Sequence, residues 1–130
     1  MDDNSIDARI AAQDWPTITA ALDARGWAIL PALIDPDSAR ATAALFDDDA
    51  RFRSRIVMAR YGFGSGDYGY FAHPLPPLVT QLRRLLYPQL TALADRWHER
   101  LGDPVRFPAA HQDYLARCHD AGQQRPTPLL

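Results

Sequence analysis

The chain has 130 residues, of which 47% are hydrophobic, 10% aromatic and 23% charged, the make-up of one soluble globular domain and not of a disordered tail or a repeat array. Its 14 basic residues against 16 acids leave a net charge of −2, which speaks against a nucleic-acid footprint or a polybasic membrane patch. No apolar run approaches the roughly 18 residues of a membrane span, and the acidic start Met1-Asp2-Asp3-Asn4 is unlike a secretory leader, so the sequence reads as cytoplasmic.

Every basic residue is an arginine and Glu99 is the only glutamate. The absence of lysine excludes a Schiff-base mechanism, a phosphate-binding Walker-A lysine and a lysine general base. A single cysteine, Cys118, cannot close an internal disulfide or form a multi-thiolate zinc site.

In chain order, residues 1–13 read as a disordered or frayed start, and 14–130 as the folded portion. Asp14 caps a helix with Trp15-Pro16 in its first turn, apolar at Trp15, Ile18 and Leu22 and ended by Gly26. Trp27-Ala28-Ile29-Leu30, bounded by Gly26 and Pro31, predicts a short buried strand. Asp35-Pro36 opens a second helix that runs through Ala39, Ala43 and Leu45 to the acidic turn Asp47-Asp48-Asp49. The stretch from Arg51 to Phe63, alternating and then β-branched and aromatic, predicts an extended segment. Gly62 to Gly69 holds four glycines, and Tyr70 to Pro77 is aromatic and then proline-rich, so this span predicts a loop or sheet edge. Leu78, Leu82, Leu85, Leu86, Leu90, Leu93 and Trp97 keep helical spacing across an interruption at Tyr87-Pro88, predicting two helices or a kinked one. A last helix starts at Pro108, with Tyr114, Leu115, Cys118 and Ala121 on its apolar face and Gly122 as its stop. The final Thr127-Pro128-Leu129-Leu130 has the look of a strand cut at its beginning.

Four patterns invite a chemical reading. Gly64-Ser65-Gly66-Asp67-Tyr68-Gly69 has the letters of a dinucleotide loop, but that loop must feed a helix whose amides meet the pyrophosphate, and an aromatic, proline-rich stretch follows instead. His111-Gln112-Asp113 has the letters of the H-x-D pair of an iron site, with His119 as a third ligand. The spacing works on a strand, where i and i+2 share a face; on a helix they diverge by about 200°. The surrounding helical signals therefore make this triplet a coincidence. Cys118 and His119, adjacent on the same helix, cannot share a proton, and Asp47-Asp48-Asp49 reads as a solvated turn.

A set of strings in fixed order carries a resemblance: Phe52-Arg53-Ser54-Arg55, Met58-Ala59-Arg60, Asp67-Tyr68-Gly69-Tyr70-Phe71, Pro74-Leu75-Pro76, Leu82-Arg83, Leu86-Tyr87-Pro88, and Cys118-His119-Asp120-Ala121-Gly122-Gln123 with Arg125-Pro126-Thr127-Pro128-Leu129-Leu130. Together they resemble the prokaryotic 2-oxoglutarate/Fe(II)-dependent oxygenases of the prolyl-hydroxylase-like group, from about Trp15 to the last residue. The resemblance implies a double-stranded β-helix, or jelly roll, that holds iron through H-x-D and a distal His, with a basic residue binding 2-oxoglutarate. In such proteins the H-x-D strand follows the segment matching Arg125 to Leu130. The implied fold class is α+β, a helical support layer plus the first strands of an incomplete barrel.

The implied function is that of the N-terminal portion of a 2-oxoglutarate- and Fe(II)-dependent dioxygenase, inactive alone. Fe(II) and 2-oxoglutarate are then expected for a complete family member and no cofactor for this chain, since three ligands must share one face of the metal. Arg60, Tyr61, Tyr68, Tyr70 and Phe71 are the candidates to line the barrel mouth. Gly69 departs from the family, where a lysine commonly stands between the two tyrosines. The expected partners are a small-molecule or peptide substrate for the parent enzyme, with no nucleic acid and no membrane, and self-association of the isolated chain through open strand edges. The alternative is a small non-catalytic α+β interaction module that binds through an exposed Tyr68–Pro77 segment.

Overall fold

In the computed structural model, which describes residues 5–130, the architecture is α+β: five helices and a two-stranded antiparallel sheet that is not closed into a barrel. The chain divides into two compact units, residues 1–33 with 81–123, and residues 34–80 with 124–130. Among the described residues no helix is long and apolar enough to cross a membrane.

The first unit is helical. The stretch expected to be frayed carries α1 (Ile6–Ala11). Ser5 caps it by accepting the Ala8 amide, and Ile6 and Ile10 are buried; Met1–Asn4 lie outside the described residues. Trp15 donates its indole N–H to the Ile10 carbonyl at 2.9 Å, which sets the corner into α2 (Trp15–Arg25). This helix starts and stops where the sequence predicts. Asp14 accepts the Thr17 amide and hydroxyl at 3.2 and 2.8 Å, and Gly26, at φ 79°, closes the C-terminus in the left-handed region that a side chain resists.

Trp27–Leu30 departs from its expectation. The segment is not a strand, and Trp27 and Ile29 are 54% and 72% exposed. A strand needs a neighbour to take its amides and carbonyls, and no main-chain group of these four residues is hydrogen-bonded among the described residues.

Nearly all of α4 (Pro77–Arg100) belongs to this unit, and it is one helix through Pro88. Pro88 costs one main-chain bond, and the Thr91 hydroxyl donates to the Pro88 carbonyl at 3.2 Å. The last helix, α5 (His111–Asp120), starts three residues later than Pro108 predicts. The connection before it is pinned by polar contacts: Asp95 accepts the Phe107 amide at 2.8 Å, Tyr87 donates its hydroxyl to the Pro108 carbonyl at 2.7 Å, and Arg117 donates to the Arg106 carbonyl at 2.7 Å. Asp23 joins α2 to α4, accepting the Trp97 indole N–H at 2.7 Å with Arg96 and Arg100 at 3.5 and 3.6 Å.

The second unit holds α3 (Pro36–Ala44), capped by Asp35 on the Ser38 amide at 2.8 Å, two short 3-10 turns, β1 (Phe52–Val57) and β2 (Asp67–Phe71). The predicted extension of Arg51 to Phe63 ends at Val57, where a 3-10 turn, Met58–Tyr61, begins the loop between the strands. That loop closes through Met58 N–H to Gly66 O at 3.0 Å and Phe63 N–H to Met58 O at 3.3 Å. In the register Phe52 faces Phe71, Ser54 faces Tyr70, Arg55 faces Gly69 and Ile56 faces Tyr68, with an irregularity at Arg53. The glycine- and tyrosine-rich span expected as loop or edge thus contains a paired strand. On its other side the chain terminus adds to it, with Gly69 and Leu130 exchanging both main-chain bonds at 2.9 Å and Phe71 N–H donating to Pro128 O at 2.9 Å.

Phe71, 2% exposed, is the centre of this unit. The Phe52 ring stacks on it at 5.0 Å, Phe46 meets Phe52 edge-on at 6.0 Å, and the Arg55 guanidinium lies 4.5 Å from both the Phe46 and Phe52 rings. Arg55 is held by Asp49 at 2.8 Å and by the Phe46 carbonyl.

A Cβ placed on Gly69 would sit 2.6 Å from Cδ1 of Phe52. That ring cannot swing aside without leaving Phe71, so Gly69→Ala is expected to lower stability by about 1–3 kcal/mol, with part recovered in Gly69→Ala/Phe52→Leu. The denaturant midpoints of the three proteins check this, and an unchanged midpoint for Gly69→Ala would contradict the packing. Asp23 supplies a pH prediction. Its carboxyl is held below the ordinary range, first by the Trp97 indole bond and then by the charges of Arg100 and Arg96. A depressed folded-state pKa stabilises fully above the unfolded value, near ~3.9. The contribution is lost as pH falls through the folded one. Urea midpoints at pH 7 and pH 3 are therefore expected to differ more for the unmodified chain than for Asp23→Asn.

Candidate functional site

The period-2 geometry of β2 separates the five sequence-derived candidates. Tyr68 and Tyr70, two residues apart, share one face of the sheet, and their rings meet edge-to-face at 5.7 Å. Phe71 points to the opposite face and is the buried centre of the unit. It is a core residue. Arg60 and Tyr61 lie in the 3-10 turn after β1, both exposed, Tyr61 at 58%.

Two further residues complete the tyrosine face. Arg53, at the irregularity in β1, carries its guanidinium 4.5 Å above the Tyr70 ring and donates from Nε to the Pro126 carbonyl at 2.8 Å. It crosses the strand that separates it from the terminal segment and fixes that segment in place. Ile56, paired with Tyr68, shares the face as an apolar neighbour. The alternation Arg51, Arg53, Arg55 placed all three arginines on one side of a regular strand. The irregularity sends Arg53 and Arg55 to opposite faces, and no local sequence signal marks it.

The Tyr68–Pro77 segment is not the exposed surface that an interaction module requires. Gly69, Phe71 and Pro76 are buried, and only His73, Pro74 and Pro77 are exposed. The face can supply two phenol rings and one tethered guanidinium, with Arg60 exposed in the turn that follows β1. That combination can stack against a planar group and hydrogen-bond an anionic or carbonyl oxygen.

His111 and Asp113 lie on α5, so the H-x-D letters place their side chains on diverging faces. The His111 ring packs on Tyr87 at 5.4 Å. Burial, and then the neighbouring Arg83 guanidinium, hold its pKa below the ordinary imidazole value, which favours the neutral ring. His119, two turns on, makes no three-ligand group with them; among the described residues no three His, Cys, Asp or Glu side chains converge as a metal site would need. Cys118 is half-buried on the same helix, beside Tyr114.

Comparison with known proteins adds a family. The model of an oxygenase family, described as catalysing oxidative methylation of damaged DNA, matches residues 66–130, from the start of β2 through α4 and α5 to the terminal segment. Two uncharacterized proteins of Mycobacterium tuberculosis, one from strain CDC 1551/Oshkosh and one from strain ATCC 25618/H37Rv, are each 40% identical over 60 residues, 46% of this chain. The match spans about a quarter of those relatives, 26% of their length. No solved structure matches the chain.

Arg53 holds the terminal segment against β2 through a carbonyl bond and a ring contact at once, which a lysine cannot reproduce. Arg53→Gln and Arg53→Lys are both expected to speed amide hydrogen exchange at Leu130, Gly69 and Phe71 by about tenfold, with β1 amides little changed. Equal exchange in the three proteins would remove this role.

Proposed function

We propose, from the premise that the chain belongs to the oxygenase family described as catalysing oxidative methylation of damaged DNA, that it forms the helical support and leading strands of an iron(II)- and 2-oxoglutarate-dependent, hydroxylase-like oxygenase domain. The observation that carries this reading is unfinished sheet structure. Trp27–Leu30 is apolar and without main-chain partners among the described residues, and β1 has a neighbour on one side only. Burial points the same way: among the described residues five apolar side chains are buried and ten large ones exposed, a thin core for a chain of 130 residues.

The described residues do not fit the metal. Among them no three donors converge, and the H-x-D letters sit on a helix, so no chemical step is assigned to them. Iron and 2-oxoglutarate, when bound by the whole domain, would supply oxygen activation. This chain's own contribution is a wall, with Tyr68 and Tyr70 packing against the substrate and Arg60 at the rim. A near-neutral charge argues against a long phosphate-binding surface. A base-modifying enzyme needs only a short basic rim and a stacking ring, so damaged DNA joins small molecules and peptides as a substrate class.

The test begins with the coding DNA downstream of the Leu130 codon, read in all frames, followed by expression of the extended protein. The expected result is a strand bearing H-x-D with a later His and Arg, and succinate release from 2-oxoglutarate that requires Fe(II) and is absent from the 130-residue chain. Absence of that ligand set from every frame, or an extended protein that leaves 2-oxoglutarate intact, would overturn the reading.

A further inference from the structure

Along the first unit, α4 and α5 leave an open apolar groove. One stretch, about 340 Å3, is lined by Leu82, Leu86, Leu90, Tyr87 and Tyr114, with Arg83 and His111 as its polar members. A second stretch, about 160 Å3, shares Tyr87, Leu90 and Tyr114 and continues past Thr91, whose hydroxyl is turned to the Pro88 carbonyl, to Ala94 and Phe107. Arg83 to Ala94 is eleven helical steps, about 16 Å at the α-helical rise. The groove runs along α4, and its one guanidinium sits toward one end.

That guanidinium is unusual among the arginines here. It is half-buried, and among the described residues no hydrogen bond or ion pair engages it. The acids of the neighbourhood do not pair with it. Asp95 is taken by the Phe107 amide, and Asp113, on α5, makes no ion pair among the described residues. His111, held toward its neutral form, adds no competing charge. A half-buried cation without a counter-ion costs free energy that an anion would recover.

We propose that this groove binds an elongated apolar carboxylate, with the carboxylate on Arg83 and the hydrocarbon running past Leu86, Leu90 and Tyr114 toward Ala94 and Phe107. A planar carboxylate matches the fork of one guanidinium, and the lining beyond it offers a hydrocarbon chain almost nothing polar. The site lies within the helical unit and uses none of the tyrosine face, so it stands independently of the oxygenase reading.

The test is isothermal titration of the full chain with octanoate, held below its micellisation range, beside butyrate and 1-octanol. Octanoate is expected to saturate one site about tenfold more tightly than butyrate, because of its extra methylenes, and about tenfold more tightly than 1-octanol, because of its charge. Arg83→Gln is expected to lower octanoate affinity about tenfold and leave 1-octanol unchanged. Leu90→Gln, at a partly exposed position, is expected to weaken both, with circular dichroism confirming that both variants remain folded. Octanoate that does not saturate, that binds no better than 1-octanol, or that binds Arg83→Gln as well as the unmodified chain would overturn the proposal.

Discussion

A two-stranded sheet has too little face to hold itself in water, so everything in the second unit rests on the ring of Phe52. The ring stacks on Phe71, receives the edge of Phe46 and lies under the Arg55 guanidinium, while occupying the space a side chain at Gly69 would need. One aromatic side chain therefore sets the packing of β1 on β2 and ties the turn before β1 to the sheet. It also explains why glycine stands at position 69, where any side chain would meet that ring. The irregularity at Arg53 follows from the same arrangement. With Phe52 committed to the core face, the extra residue lets Arg53 reach the opposite face and the terminal segment while Arg55 stays over the rings.

The first unit is organised differently, by polar ties between helices more than by a thick core. Asp23 gathers Trp97, Arg96 and Arg100, Asp95 accepts the Phe107 amide, and Tyr87 donates to the Pro108 carbonyl. Most of these contacts are partly exposed, where single ion pairs contribute little. The hydrogen bonds that orient the indole and the phenol carry more of the specificity. The aromatic run of His98, Phe107, Tyr114, Tyr87 and His111, each ring within 5.6 Å of the next, fixes the α4–α5 spacing and so the width of the groove.

The limits of α2 and α3 and the end of α5 were legible in the sequence because local devices set them, whereas the Ser5 cap of α1 went unread. Asp14 and Asp35 cap with a hydroxyl residue three positions on, and Gly26 and Gly122 mark ends, because capping involves only near neighbours. The helical H-x-D was legible for the same reason. Trp27–Leu30 was misread because its composition reports the environment a strand prefers, whereas a strand exists only when a second one takes its hydrogen bonds. The β2 strand was hidden by Gly69 and by the three glycines of the loop before it. Period-2 alternation over Tyr68, Gly69, Tyr70 and Phe71 would have set the tyrosines apart from Phe71, but grouping the aromatics as one wall overrode it. Tyr87-Pro88 left two helices or a kinked one open, and the single helix arises because a helix packed on both sides of a proline continues through it.

Family membership places the chain among oxygenases, and within the chain tightly held residues separate from less constrained ones. The residues that are fixed here, Phe52, Phe71, Asp23 and Tyr87, hold backbone and rings in place. The less constrained residues are half-buried Tyr68 and Tyr70, exposed Arg60, and the Trp27–Leu30 segment, which has no main-chain partner among the described residues; under the proposed reading they are where another layer or a substrate would dock. Tyr68 and Tyr70 are already oriented against each other and, through Arg53, against the terminal segment. A partner arriving on that face would therefore meet rings whose freedom has been spent in folding, which is the property that makes a wall useful to a binding site. The sheet is thus preorganised on one face by the core packing on the other.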